Sequence, residues 1–209
     1  MKKYFIEFVG TFFLVLVIGL TAAFPPGAGS LAPVAIGGIL IGMSLLVRGG
    51  NGYYFNPAFV VAAYFFGKLQ LKAIPGYILI QALAGVLAAF SAGFLSEGKI
   101  LLPRSIPFGP VFLAEFLFSF VLVLSMLSLS SSRSSKNQIY AGIAGGLVMM
   151  AGLFSVGKMS FGFFNPAATL GVSLMGISAW GDLWIYLLAH MLGATAAGFG
   201  AKLNQSSTN

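Results

Sequence analysis

Phe55-Asn56-Pro57-Ala58-Phe59 and Phe164-Asn165-Pro166-Ala167-Ala168 decide the fold, because one tripeptide opens two short apolar segments 109 residues apart. The segments, residues 56–66 and 165–175, are too short to cross about 30 Å of hydrocarbon as helix. Asparagine is among the best helix N-caps, its side-chain oxygen accepting backbone N–H groups of the first turn. Proline at the first helical position has its φ preset and wastes no donor. Each segment therefore reads as a half-helix that begins at its asparagine. Irregular backbone at membrane depth is tolerated only where protein buries it or it lines a watery cavity, so two such segments predict a pore or a substrate site.

The rest of the chain supplies the membrane. Of its 209 residues 58% are apolar and 7% charged, against about 25% charged in an ordinary soluble domain. Four acidic and 11 basic residues cannot coat a globule of this size. That excludes a soluble enzyme, a nucleic-acid-binding domain and a disordered chain. The net charge of +7 is spread singly between hydrophobic runs rather than gathered in a stripe, so no nucleic-acid partner is expected. Six runs, at residues 5–24, 31–47, 74–95, 109–129, 139–157 and 183–202, have about the length of a span. The start Met1-Lys2-Lys3 with its apolar run has the outline of a signal peptide, but Glu7 interrupts the run and its length suits a span. Between the runs lie Pro25-Pro26-Gly27, Gly49-Gly50-Asn51-Gly52 and a polar loop over residues 130–137. With the N-terminus cytoplasmic, Lys2, Lys3, Arg48, Lys68, Lys72, Arg133, Lys136 and Lys202 lie inside, and Lys99, Arg104 and Lys158 outside. That positive-inside bias, with six spans, places both termini in the cytoplasm.

An internal repeat joins these parts. Glu7 matches Glu115, each followed four residues later by a hydroxyl, Thr11 or Ser119. Gly37 matches Gly146, the two Asn-Pro-Ala motifs match, and Tyr77 and Gln81 match Tyr186 and His190. Each half, residues 1–103 and 104–202, holds three spans, an odd number, so the halves lie upside down relative to each other. In inverted repeats of this kind functional sites lie near the midplane, at the repeat interface. The expected fold is all-α: six transmembrane helices plus two re-entrant half-helices in one domain over residues 1–202, with a polar, disordered tail at 203–209.

With the asparagine oxygens used for capping, the amide groups of Asn56 and Asn165 point into the cavity as donors, beside the positive ends of two helix dipoles. Such a midplane suits a neutral molecule with lone pairs and repels cations, protons included. The residues alone leave Glu7 and Glu115 open as structural supports or proton-relay groups. Gly37, Gly146 and Gly193 sit where small residues allow close helix crossing. His190, without a second histidine or a nearby carboxylate, reads as a satisfied interior histidine rather than a metal ligand or pH sensor. With no cysteine there is no disulfide and no thiolate metal site, and no metal or cofactor is expected.

The paired motifs, buried glutamates and half-helices closely resemble the aquaporin (major intrinsic protein) family over nearly the whole chain. The resemblance implies a narrow pore through each subunit of a homotetramer. Asn56, Pro57, Ala58, Asn165, Pro166 and Ala167 would form the pore midplane. Glu7 and Glu115 would hold the non-helical loops by accepting backbone hydrogen bonds. Family members usually carry arginine directly after the second motif, where this chain has Ala168. Counting from the motifs puts the remaining filter positions on Ile36, Leu153 and Gly162, a set without charge, side-chain donor or ring. The filter is therefore expected to be wide and apolar.

Other departures bear on the substrate. Tyr54 replaces a histidine common in the family, and Phe59 and Val60 follow the first motif where Val-Thr is frequent. Phe55, Phe163 and Phe164 put bulky rings beside the midplane, either packing the half-helices or intruding on the pore. Thr169 stands where glycerol facilitators have aspartate, with Ser173 four residues on, as in the water-channel branch. Ile185-Tyr186 matches neither branch. The expectation is a passive channel, without catalysis, for water and glycerol-sized neutral solutes, in contact with membrane lipid. A glycerol-like facilitator with poor water selectivity and a closed-pore structural membrane protein are the alternatives, the latter kept alive by 21 phenylalanines. A secondary transporter shares the architecture, but no intramembrane charge pair beyond the two glutamates supports it.

Overall fold

A computed structural model describes residues 2–22, 29–46, 53–97, 106–129 and 135–206. Eight helices follow one another: α1 (Lys2–Ala22), α2 (Ala32–Leu45), α3 (Pro57–Phe66), α4 (Ile74–Leu95), α5 (Phe108–Leu129), α6 (Ser135–Ser160), α7 (Pro166–Leu174) and α8 (Leu183–Ser206). Short 3-10 turns at Gly29–Leu31, Leu71–Ala73 and Trp180–Asp182 lead into α2, α4 and α8. Among the described residues, α1, α4, α5, α6 and α8 belong to segments long and apolar enough to cross a membrane. The fold is that of a multi-pass integral membrane protein.

The second expected span is shorter than its hydrophobic run. Proline sits at the start of α2 and the helix ends at Leu45, so its 14 residues rise only about 21 Å. Elsewhere helix replaces expected loop. Serine and lysine of the polar stretch already belong to α6, which begins at Ser135, and α8 runs on through Ser206. The first four residues of the expected disordered tail are therefore helical. The Pro25-Pro26-Gly27 and Gly49–Gly52 breaks, with Arg48, Lys99, Arg104 and Arg133, lie outside the described residues.

Packing follows the repeat. Helix α1 lies along α4 as α5 lies along α8, and α2 lies along α6 between the halves. The half-helices cross over, α3 resting on α8 and α7 on α4, so each half completes the other. Where these helices meet, backbone touches backbone. A Cβ on Gly37 would lie 2.5 Å from the Gly146 carbonyl oxygen, and one on Gly146 would lie 2.6 Å from that of Gly37. A Cβ on Gly193 would collide with the Phe116 carbonyl, joining α8 to α5. Such close approach is the use of glycine between membrane helices, where dispersion replaces the hydrophobic effect.

The outside of the bundle is apolar and the inside partly polar, the reverse of a soluble protein. Phe94, Leu79 and Phe90 are 84%, 72% and 68% exposed, while Glu7, Gln81, Glu115 and His190 are buried. Left-handed glycines end the half-helix turns alike. Gly67 caps α3 at φ 94°, and Gly176 follows α7 at φ 75°. Lys68 and Leu69 N–H then donate to Ala63, and Ile177 N–H to Val172, satisfying carbonyls that the helix ends leave open.

Candidate functional site

The half-helices begin as the motifs require. Asn56 is extended at φ −157° and its side-chain oxygen accepts the Ala58 N–H at 2.9 Å. Asn165, at φ −155°, accepts the N–H groups of Ala167 at 2.9 Å and Ala168 at 3.4 Å. The amide nitrogens then cross the junction. Asn56 Nδ2 donates to the Phe164 carbonyl at 2.9 Å, and Asn165 Nδ2 to the Phe55 carbonyl at 2.8 Å. Both amides are thus tied to the opposite loop, and both asparagines line the junction. An amide NH2 carries two hydrogens; one ties the opposite loop, leaving the second for anything passing between the helix ends.

The carbonyls are presented by backbone in a conformation that phenylalanine avoids. Phe55 has φ 51° and Phe164 φ 47°, a left-handed state costing roughly 1–3 kcal/mol in a non-glycine residue. It persists because buried carboxylates hold the N–H groups beside it. Glu7 Oε1 accepts Tyr54 N–H at 2.8 Å, and Oε2 accepts Phe55 N–H at 2.7 Å and Gln81 Nε2 at 2.9 Å. Glu115 Oε1 accepts Gly162 and Phe163 N–H at 3.1 and 3.2 Å, and Oε2 accepts Phe164 N–H at 2.8 Å. Each glutamate is therefore bound to the loop that precedes a motif.

His190 corrects one expectation. A carboxylate is near: its Nε2 lies 2.7 Å from Glu115 Oε2, both side chains fully buried. The pair occupies the place that Gln81 and Glu7 hold in the first half, so the repeat itself carried the signal. Nδ1 of His190 has no partner among the described residues. No group of three or more His, Cys, Asp or Glu side chains there could hold a metal.

Of the four expected filter positions, Ile36, Gly162 and Ala168 are buried and Leu153 is partly buried. Ile36 is 1% exposed and Ala168 0%, both within the buried core, and Leu153 packs partly buried against it. A Cβ on Gly162 would lie 2.9 Å from Leu153 Cδ2. The leucine thus lies close against the glycine.

A cavity opens at the junction, on the α3 side. Its volume is about 10 Å³, room for about one water, and it is lined by Asn56, Asn165, Tyr54, Phe55 and Phe59, with Leu14, Leu40, Leu122, Val123, Met126 and Met149. Leu40 and Met149 were not expected here, although they lie four residues from Ile36 and Leu153, one helical turn deeper on the same faces. Of the three rings beside the midplane, Phe164 stacks on Phe118 at 5.3 Å, and Phe163 packs against Phe161 and Tyr186 at 5.4 and 5.2 Å. Phe55 stacks on Tyr53 at 5.1 Å and borders the cavity.

Known proteins agree with this arrangement. The sequence model described as Major intrinsic protein matches residues 1–200. Aquaporin NIP3-1 of Zea mays is 31% identical over 207 residues, covering 93% of this chain and 67% of that protein. Glycerol uptake facilitator protein-like 6 of Lactiplantibacillus plantarum is 29% identical over 214 residues, covering 97% and 98%. In fold, the X-ray structure of the aquaglyceroporin from Plasmodium falciparum matches with a TM-score of 0.77 at 21% identity, over 99% of this chain and 97% of that one. By sequence and by the crossed half-helices, the chain belongs to the major intrinsic protein family of membrane channels.

Proposed function

We propose that the chain is a passive channel for water and glycerol-sized neutral solutes, excluding ions. The observation that carries this is the crossed asparagine junction. Two caps meet head to head, each with one amide hydrogen fixed on the opposite loop and one left over. A molecule at that point meets donors and two positive dipole ends, which hold a neutral lone-pair bearer and repel a cation. Asn56, Pro57, Ala58, Asn165, Pro166 and Ala167 form the midplane, and Ile36, Leu153, Gly162 and Ala168 the outer constriction. Relatives named for aquaporin and for glycerol uptake support the two substrate classes. The channel unit spans residues 1–202, with both termini cytoplasmic by the distribution of basic residues. The resemblance also implies a homotetramer, which native mass spectrometry in detergent counts directly.

Osmotic shrinkage of proteoliposomes by stopped-flow light scattering tests the reading. Shrinkage well above that of empty liposomes, followed by re-swelling in glycerol, is the expected result. Fast shrinkage without re-swelling would restrict the substrate to water. A second reading, a closed-pore structural protein, has one observation in its favour: Ile36 and Ala168 are 1% and 0% exposed. Folded protein that leaves shrinkage at the empty-liposome rate would establish it.

A further inference from the structure

Tyr54 is tied to the pore in a way that its counterpart in the other half is not. Its ring borders the cavity at the asparagine junction, and its N–H is fixed on Glu7 at 2.8 Å. The ring is clamped from two sides. Phe59 meets it edge-on at 5.2 Å and 81°, and Tyr77 at 5.2 Å and 75°. Tyr77 in turn meets Tyr4 at 5.3 Å, and Lys3 Nζ lies 4.9 and 5.2 Å from the Tyr4 and Tyr77 ring centres. A chain of rings thus runs from the end of the bundle where α1 begins to the cavity, capped by a cation on aromatic faces. Edge-to-face pairs of this kind fix ring orientation as well as adding attraction. Tyr54 therefore has little freedom to swing aside.

In the outer constriction Leu153 stands differently. It packs against Gly162 and is only partly buried. Phe163, the repeat equivalent of Tyr54, packs against Phe161 and Tyr186 and is not among the cavity-lining residues.

We propose that Tyr54 is a specificity-determining residue, its clamped ring setting the size limit for solutes in the half of the pore on the N-terminal side. The proposal rests on the channel reading above. A cavity with room for about one water beside a ring that cannot yield slows broader solutes relative to water. Removing ring volume then widens the path in proportion, without touching the asparagines that hold the permeant.

The test is the ratio of glycerol to water permeability in proteoliposomes of the full-length chain. Native protein is compared with Tyr54→Leu, Tyr54→Ala and Phe163→Leu, each first checked for monodisperse elution and helical circular dichroism. The ratio is expected to rise in the order native, Leu, Ala at position 54, by roughly fivefold or more at the end, and less than twofold in Phe163→Leu. Should Tyr54→Ala not fold, Tyr54→Leu, which keeps apolar contact with Phe59 and Tyr77, carries the comparison. A native chain that is silent while Tyr54→Ala conducts would also support the proposal, as a ring that closes the pore. An unchanged ratio in the Tyr54 variants, or an equal rise in Phe163→Leu, overturns the proposal while the water flux leaves the channel reading standing. Silence of native and variant proteins alike, all folded, overturns both.

Discussion

The two halves of the molecule share a backbone plan and differ in what they hang on it. Phe55 and Phe164 have φ angles of 51° and 47°, and each offers its carbonyl to the opposite asparagine. Around that common core the side chains diverge. Phe55 borders the cavity, whereas Phe164 stacks on Phe118. Glu7 is completed by the amide of Gln81, Glu115 by the imidazole of His190. Backbone hydrogen bonds in a membrane interior have few alternatives, so the repeat must keep them. Ring positions have many, and these are where one end of the pore comes to differ from the other.

The largest effect is expected from the glutamates. Glu115→Leu leaves the N–H groups of Phe163 and Phe164 without an acceptor and Gly162 N–H with only Ser160 Oγ at 3.2 Å, and an unsatisfied buried donor costs about 1–3 kcal/mol. Glu7→Leu strands the backbone donors of Tyr54 and Phe55 only. Both variants should lose folded yield in detergent gel filtration, Glu115→Leu more completely. A reverse order would show that the two loops are not held by the same device.

Next come the glycines between the halves. Gly146→Ala drives a Cβ toward the Gly37 carbonyl oxygen, 2.6 Å away, where neither backbone can move without separating α2 from α6. Thermal unfolding in detergent should show a loss of about 1–3 kcal/mol. Gly42→Ala is the matched control, because no atom lies within 4 Å of its Cβ. Its effect should be neutral or a small gain from helix propensity. Equal losses in both variants would mean that α2 and α6 resist added bulk whatever it faces, and the backbone contact would lose its special place.

A smaller change separates the asparagines. Asn165→Asp replaces the amide that bonds the Phe55 carbonyl at 2.8 Å with an oxygen, and sets a negative charge against two helix N-termini. Potassium efflux from liposomes should rise on the order of tenfold, equivalent to about 1.4 kcal/mol off the barrier. Asn56→Asp should behave alike, since its amide bonds Phe164 in the same way. Unchanged conductance in both would count against a midplane barrier.

Much of this was legible in the chain. The motifs marked the starts of α3 and α7, since Asn caps and Pro opens a helix wherever the rest of the fold puts it, and α4 fills the 74–95 run it was read from. What escaped depends on neighbours. Ile36, Leu153, Gly162 and Ala168 suggest width by their character, but sequence does not say how they pack, and Leu153 Cδ2 lies 2.9 Å from where a Cβ on Gly162 would stand. Leu40 and Met149 line the cavity one helical turn from the expected filter positions, and hydrophobic runs do not record which turn faces the junction. The approach of His190 to Glu115 was hidden only by reading the two as lone residues; the matching of Gln81 with His190 and Glu7 with Glu115 already placed them together.

That last pair gives the finest test of the comparison. His190→Gln makes the second half copy the first, putting a neutral amide donor where Nε2 now meets Glu115 Oε2 at 2.7 Å. Glu115 keeps its three backbone donors, so the loop should stay in place and stability should change by about 1 kcal/mol or less. His190→Ala removes the donor and opens a cavity in a fully buried site, and should cost several times as much. If His190→Gln is as damaging as His190→Ala, the imidazole does something that Gln81 does not do in the first half. The partnerless Nδ1 would then be the atom to examine. If both are mild, Glu115 needs no fourth donor, and the difference between the halves at this position is one of packing alone.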